Sequence, residues 1–288
     1  MGRGLAPKTI ALRRLCYDIL EEIRPATVRA VCYRLFVLKA IPNMGTNATG
    51  KISRVLTRAR EDGYIPWGWI VDNTRSLDIA MQWDDPAEYV ETVKHAYRRN
   101  LWSQQPRRAE VWSEKSTMNG TLGPVLNKWG IGFRVFRGFN SSSGMYEIVQ
   151  TALRDPQPLR VFYIGDWDPS GMCMSEIDIP ERLARYGGRV EFSRLALTAD
   201  DLARPDLRTL SFPPKKSDSR CRWFVENYGH QAWEVDALSP VVIRDRVEDA
   251  IVGMITDFDA WDRYSATEEA ELTSLEEVLT GWSHLKSA

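Results

Sequence analysis

The apolar run Leu159–Ile164 (LRVFYI) stops at Gly165, Asp166, Trp167, Asp168 and Pro169, so two like charges stand at the end of what reads as a buried strand. The run has companions. Ala109–Trp112 (AEVW) ends in Glu114, Phe133–Phe136 (FRVF) ends in Arg137-Gly138 and the polar turn FNSSSG, and Val190–Leu197 supplies a further candidate strand. Short apolar runs separated by helical segments predict an α/β fold around a parallel sheet. In such sheets active sites gather beyond the carboxyl ends of the strands, and here three acids from two strands fall in that place.

Glu114, Asp166 and Asp168 held close together would each be driven to take a proton, a cation or a neighbouring base. Oxygen ligands on strand-end loops favour Mg²⁺ or Mn²⁺, which keep several waters and leave positions open to phosphate oxygens. The residues alone leave a plainer arrangement open, a solvated Asp-Pro turn with Ser170 capping the next helix.

The N-terminal third has a different texture. Ile10, Leu15, Cys16, Ile19, Leu20 and Ile23 recur at helical spacing until Arg24-Pro25 ends that helix. Thr27 is placed to cap a second helix, in which Val28, Val31, Cys32 and Leu35 make one apolar stripe while Arg29 and Tyr33, four apart, lie off its centre. In a third helix, KISRVLTRAREDG, the residues Ile52, Val55, Leu56 and Ala59 face one way and Lys51, Arg54 and Arg58 the other, with Gly63 as the C-cap. Three short helices, the last with a basic ridge, followed by the strand-like segment YIPWGWIVD, describe a winged helix-turn-helix whose third helix enters a DNA groove. A three-helix bundle with a solvated ridge fits the same pattern. A helical connector (DPAEYVETVKHAYRRNLW) follows.

Charge agrees with a polyanion partner at the front of the chain. The net charge of −1 conceals 13 Lys/Arg against 6 Asp/Glu in residues 1–75 and 5 against 14 in residues 221–288. With 43% hydrophobic and 27% charged residues, the chain has the composition of a globular protein. Cys16, Cys32, Cys173 and Cys221 lie far apart without a CxxC pair, which argues against a zinc ribbon or a disulfide framework and for reduced thiols. No apolar stretch reaches signal-peptide or membrane-span length, and a cytoplasmic location is expected. No P-loop or GxGxxG appears, so no ATP is expected on this chain.

Taken together, EKSTMNGTLGPVL at 114–126, RGFNSSSGMYEIV at 137–149, YIGDWDPSG at 163–171 and WEVDAL at 233–238 resemble, in order and spacing, the Toprim domain of the topoisomerase VI A subunit and its meiotic Spo-eleven relatives. TVRAVCYRLF at 27–36 resembles the same family's winged-helix signature, with Cys32-Tyr33 where two adjacent tyrosines are common. The resemblance covers roughly Thr9 to Pro240, and the short chain is similar to the reduced, stand-alone Mini-A versions of bacterial and phage mobile elements. It implies a winged helix in residues 1–75, the helical connector at 76–108, a Toprim metal-binding domain at 109–240 and an acidic helical tail at 241–288.

By that resemblance Tyr33 is the nucleophile that forms a 5′-phosphotyrosyl link to double-stranded DNA, Arg29 neutralises the scissile phosphate, and Glu114, Asp166 and Asp168 hold Mg²⁺ or Mn²⁺. A nucleoid-associated homodimer is implied, with room for an ATPase partner encoded elsewhere. Lys51, Arg54 and Arg58, with the loop lysines Lys215 and Lys216, are candidates for contact with the DNA backbone. Lys115 either meets a phosphate or faces solvent, Glu234 and Asp236 either serve the metal site or cap a helix, and Trp167 is expected to be exposed near the site. Two alternatives stay open: a metal-dependent Toprim nuclease that uses water, and a non-catalytic mobile-element DNA-binding protein.

Overall fold

The computed structural model describes residues 6–70, 82–136 and 142–284. Three helices come first, α1 (Pro7–Ile23), α2 (Val28–Val37) and α3 (Thr46–Glu61). The Thr27 hydroxyl accepts from the Ala30 N–H at 3.1 Å and so caps α2, and beyond α3 Gly63 takes φ +71°, a left-handed turn that a side chain would strain. Leu20, Ile23, Val31, Leu35, Ile52 and Leu56 close a small core between the three helices.

The strand expected in YIPWGWIVD is corrected. Trp67–Trp69 form a 3-10 turn, and among the described residues the segment's ladder contact is the bridge Ala26–Ile70. Pro66 has no N–H to offer a ladder, and Trp69 turns instead onto Tyr17, 5.0 Å between ring centroids, with Arg24 over its face. Val71 and Asp72 lie outside the described residues, as do Arg137–Ser141 of the expected RGFNSSSG turn.

The connector helix α4 (Pro86–Ala96) is capped by Asp85 and ends earlier than expected. Beyond it the Arg99 N–H donates to Glu268 at 2.9 Å, which pulls the chain out of helical register before a 3-10 turn at Leu101–Gln104.

The second unit is the expected α/β sheet. It runs β1 (Arg108–Ser113), α5 (Thr117–Trp129), β2 (Gly132–Val135), α6 (Ser142–Arg154), β3 (Leu159–Ile164), α7 (Pro169–Cys173), α8 (Ile179–Arg185) and β4 (Val190–Ala196). All four strands are parallel in the order β2-β1-β3-β4. Alternate residues of the central strands serve two cores: Val111, Phe162 and Ile164 lie in one, Trp112, Val161 and Tyr163 in the other. That is why VFYI, from Val161 to Ile164, reads as unbroken apolar sequence, since a strand covered on both faces has no polar side there; Arg160, near the strand's start, is only half-buried and pairs with Glu191.

Past β4 come α9 (Ala199–Leu202), α10 (Pro205–Arg208), α11 (Cys221–Tyr228), α12 (Pro240–Val252) and α13 (Phe258–His284). The acidic tail expected from residue 241 therefore divides in two. α12 belongs to the larger core, because Ile243, Val247 and Ile251 recur every four residues and bury one face beside α5. Only α13 is an acidic extension, and it folds back on α4 through Lys94–Glu276 at 3.3 Å and an Arg99–Glu271 pair.

The two units share a boundary. Arg244 of α12 donates to the carbonyls of Ile23 and Pro25 at 3.1 Å, and Tyr33, alone among the buried residues of α2, packs into the larger core. No described helix is long and apolar enough to cross a membrane.

Candidate active site

β1 and β3 are neighbours with Ser113 opposite Ile164, so the residues that follow, Glu114 and Lys115 on one strand and Asp166 to Asp168 on the next, emerge side by side. The third contributor comes from far along the chain. Trp167 and Trp233 exchange backbone hydrogen bonds of 2.9 and 2.8 Å, and the Val235 N–H donates to Asp166 Oδ1 at 2.6 Å. This short antiparallel bridge delivers Glu234 and Asp236 to the same strand ends.

Asp168 is neither free nor part of a solvated turn. Its side chain accepts from the Gly171 N–H at 2.7 Å and caps α7, the role the plainer arrangement gave to Ser170. Trp167, expected to be exposed, is buried and packs edge-on against Tyr228. The bridge to Trp233 turns its ring inward.

Lys115 is only partly exposed and turns toward the acids. Its ammonium stands 2.8 Å from Asp166 Oδ1, 2.8 Å from Asp236 Oδ2 and 3.7 Å from Glu234 Oε2. On the far side of the same acids Arg29 forms an ion pair with Glu234 and lies 3.4 Å from Asp236, and its guanidinium stands 5.7 Å from the centre of the Tyr33 ring. A row of alternating charge thus runs from α2 to both central strand ends: Arg29, then Glu234 and Asp236, then Lys115, then Asp166 with Glu114 beside it.

The titration of these groups follows from the crowding. Burial, reinforced by the charges of Asp166 and Asp168, pushes the Glu114 carboxyl up to about 7. Burial also raises Asp166, against the pull of Lys115. Burial works against ionising Glu234 too, but the Lys115 charge and the hydrogen bonds from Arg29 and Tyr33 win and hold it below the usual carboxylate range. The Tyr33 phenol moves up through burial and the adjacent Glu234 charge, so it stays protonated at neutral pH. Among the described residues no three His, Cys, Asp or Glu side chains already enclose a metal-sized space, since Lys115 and the Gly171 N–H hold oxygens of Asp166 and Asp168.

The other candidates lie outside this row. Lys51, Arg54 and Arg58 are exposed on one face of α3, and Lys215 and Lys216 are exposed in the loop before α11. One residue of evident importance was missed: Arg194 of β4. Its guanidinium donates to the carbonyls of Gly165, Gly171 and Leu197 at 2.9, 3.0 and 3.0 Å and to that of Asp166 at 3.1 Å, so it fastens the loop that bears both aspartates. The available signal was a lone arginine inside an otherwise strand-like run, VEFSRLA.

No protein-family model matches the chain, and no curated protein or solved structure is detectably similar to it.

Proposed function

We propose that the protein cleaves and rejoins double-stranded DNA in the manner of the topoisomerase VI A subunit, with Tyr33 as nucleophile. One observation carries this reading: Arg29, whose guanidinium stands 5.7 Å from the Tyr33 ring, is ion-paired to Glu234 in the same cluster as Lys115 and the strand-end Asp166, although Arg29 and Glu234 lie 205 residues apart in sequence. Under this reading the three-helix unit is a winged helix that lays Lys51, Arg54 and Arg58 along DNA phosphates, helped by Lys215 and Lys216. Two copies acting together cut both strands.

In the reaction the Tyr33 oxygen bonds to phosphorus and the bond from phosphorus to the 3′ oxygen breaks, leaving a 5′-phosphotyrosyl link. The phenol gives up its proton and the departing 3′ oxygen gains one, so one phosphodiester replaces another and the exchange is reversible. Arg29 neutralises the phosphate and orients it toward the hydroxyl. Glu114, Asp166 and Asp168 are the residues that would hold Mg²⁺ or Mn²⁺; the donor set is all oxygen, and like charges crowded this closely favour a hard cation over the proton Glu114 otherwise keeps. When bound, the cation supplies Lewis-acid stabilisation of charge on the phosphate and the leaving oxygen.

The test is detergent quenching of the protein incubated with supercoiled plasmid and Mg²⁺. Covalent protein on DNA 5′ ends that is lost in Tyr33→Phe is the expected result. The burial of Tyr33, 6% exposed, favours a second reading in which water attacks and the protein is a metal-dependent nuclease. Cleavage that survives Tyr33→Phe but vanishes in Asp166→Ala selects it.

A further inference from the structure

The Glu234 carboxylate sits where a phosphate would have to sit. Any anion that is held by Arg29 in front of Tyr33, whose ring lies 5.7 Å from the Arg29 guanidinium, must take the place at that guanidinium which Glu234 now fills. We propose that Glu234 is an internal stand-in for the scissile phosphodiester, which DNA must displace from Arg29 before Tyr33 can engage it. This inference rests on the proposed function and adds a competitive step to it.

Three features fit Glu234, and not its neighbour Asp236, for a removable part. Asp236 has a side chain 1% exposed and is fastened to Lys115 at 2.8 Å, so it has nowhere to go. The Glu234 side chain is 27% exposed, and Arg29 beside it is 44% exposed, so the pair is open to solvent. The backbone on either side of Glu234 is pinned, by the Trp233–Trp167 bridge and by the Val235 N–H on Asp166. Glu234 can therefore leave by rotating its side chain alone, with no cost in backbone structure.

The exchange is also balanced in charge. A carboxylate and a phosphodiester each carry one negative charge, and each presents two oxygens to a guanidinium in the same forked geometry. Arg29 and Lys115 keep an anionic partner before and after the exchange, so neither cation is left bare at any stage. In the resting chain the carboxylate keeps the arginine occupied. The device spares the nucleophile from reacting before a correctly seated phosphate has replaced it.

The consequence is a lower apparent affinity for DNA, since only the fraction of molecules with Glu234 turned away is competent to bind at this point. The experiment is a double-mutant cycle on the full-length chain, read as anisotropy of a fluorescein-labelled duplex at fixed salt in EDTA, where no metal-dependent cutting occurs. Glu234→Gln removes the competing charge and retains the shape; the expected result is a gain in affinity of about five- to tenfold. In an Arg29→Gln background the same change should give less than about twofold, because the site that Glu234 blocks no longer exists. Glu234→Ala serves as the second opening variant, and thermal melting confirms that each protein is folded.

An equal gain with and without Arg29 overturns the inference, for Glu234 would then act only as one negative charge near DNA. No gain in either Glu234 variant also overturns it. If the wild type and Glu234→Gln both fail to bind duplex DNA, the proposed function falls along with it, whereas binding that weakens in Arg29→Gln without any coupling to Glu234 leaves that function standing and removes only the stand-in.

Discussion

The Lys115 ammonium and Asp166 Oδ1 stand 2.8 Å apart at the ends of adjacent parallel strands, and the same ammonium reaches Asp236 at 2.8 Å. Burial alone would lower the pKa of this lysine, but the carboxylates of Asp236, Asp166 and Glu234 more than offset it and its pKa moves up. Lys115→Met leaves the buried Asp166 without its cation and Asp236 with only Arg29 at 3.4 Å, and is expected to lower unfolding stability by about 3–5 kcal/mol. Urea denaturation at neutral pH measures this; a loss below about 1 kcal/mol would mean the acids find other partners.

Gly171 sets how tightly the aspartate loop closes. A Cβ at this position would stand 2.3 Å from the Asp166 carbonyl oxygen, a clash with backbone that no rotamer change relieves. Gly171→Ala should cost at least about 1–3 kcal/mol and disturb the Asp168 cap. Gly50, inside α3, is the contrasting case, since a Cβ added there would meet nothing within 4 Å. Gly50→Ala should stabilise the protein by about 0.5–1 kcal/mol, and thermal melts of the two variants should shift in opposite directions.

Arg194 carries more than its charge. Removing its guanidinium takes the side-chain donor from four carbonyls; Gly165 and Gly171 keep backbone donors while Asp166 and Leu197 lose the Arg194 bond, so Arg194→Met should cost at least about 2 kcal/mol. Arg222, whose side chain is 90% exposed beside Glu226, provides the comparison, and Arg222→Met should leave the urea midpoint unchanged. Equal effects of the two substitutions in urea would show that the Arg194 hydrogen bonds contribute little.

Acid should weaken the joint between α12 and α9. Burial of Asp201 opposes its ionisation, but hydrogen bonds from Arg246 at 2.7 and 2.8 Å and from Thr198 prevail, and its pKa is depressed. A depressed carboxylate adds stability that is fully present above its unfolded pKa of about 3.9 and is lost as pH falls through the folded value. Asp201→Asn should therefore be less stable than the wild type at pH 7, with the gap closing below about pH 4. Urea midpoints across the acid range check the trend, and a gap independent of pH would refute it.

The local parts of the fold were legible because short-range chemistry decides them. Thr27 caps α2 through its hydroxyl, Gly63 makes the left-handed turn one residue past the Asp62 C-cap of α3, and the run Leu159–Ile164 forms the β3 strand at the expected residues. The wing segment was not legible, since aromatic residues suit strands and turns alike and the contact of Trp69 with Tyr17 and Arg24 decided the matter. The length of the tail failed in the same way: the apolar stripe of α12 was present in sequence, but only the packing on α5 shows that it belongs to the core.

By itself the sequence determined that Glu114, Asp166 and Asp168 leave the ends of parallel strands, because strand periodicity and chain direction suffice for that. Tertiary structure alone decided what stands among them. Lys115 is drawn inward as the counter-charge of Asp166 and Asp236, and the Trp167–Trp233 bridge brings Glu234 to Arg29 and Tyr33. Lys115 and Asp236 are 121 positions apart and Arg29 and Glu234 are 205, and the energy of such pairings comes from desolvated charges that find one another only after the chain has folded.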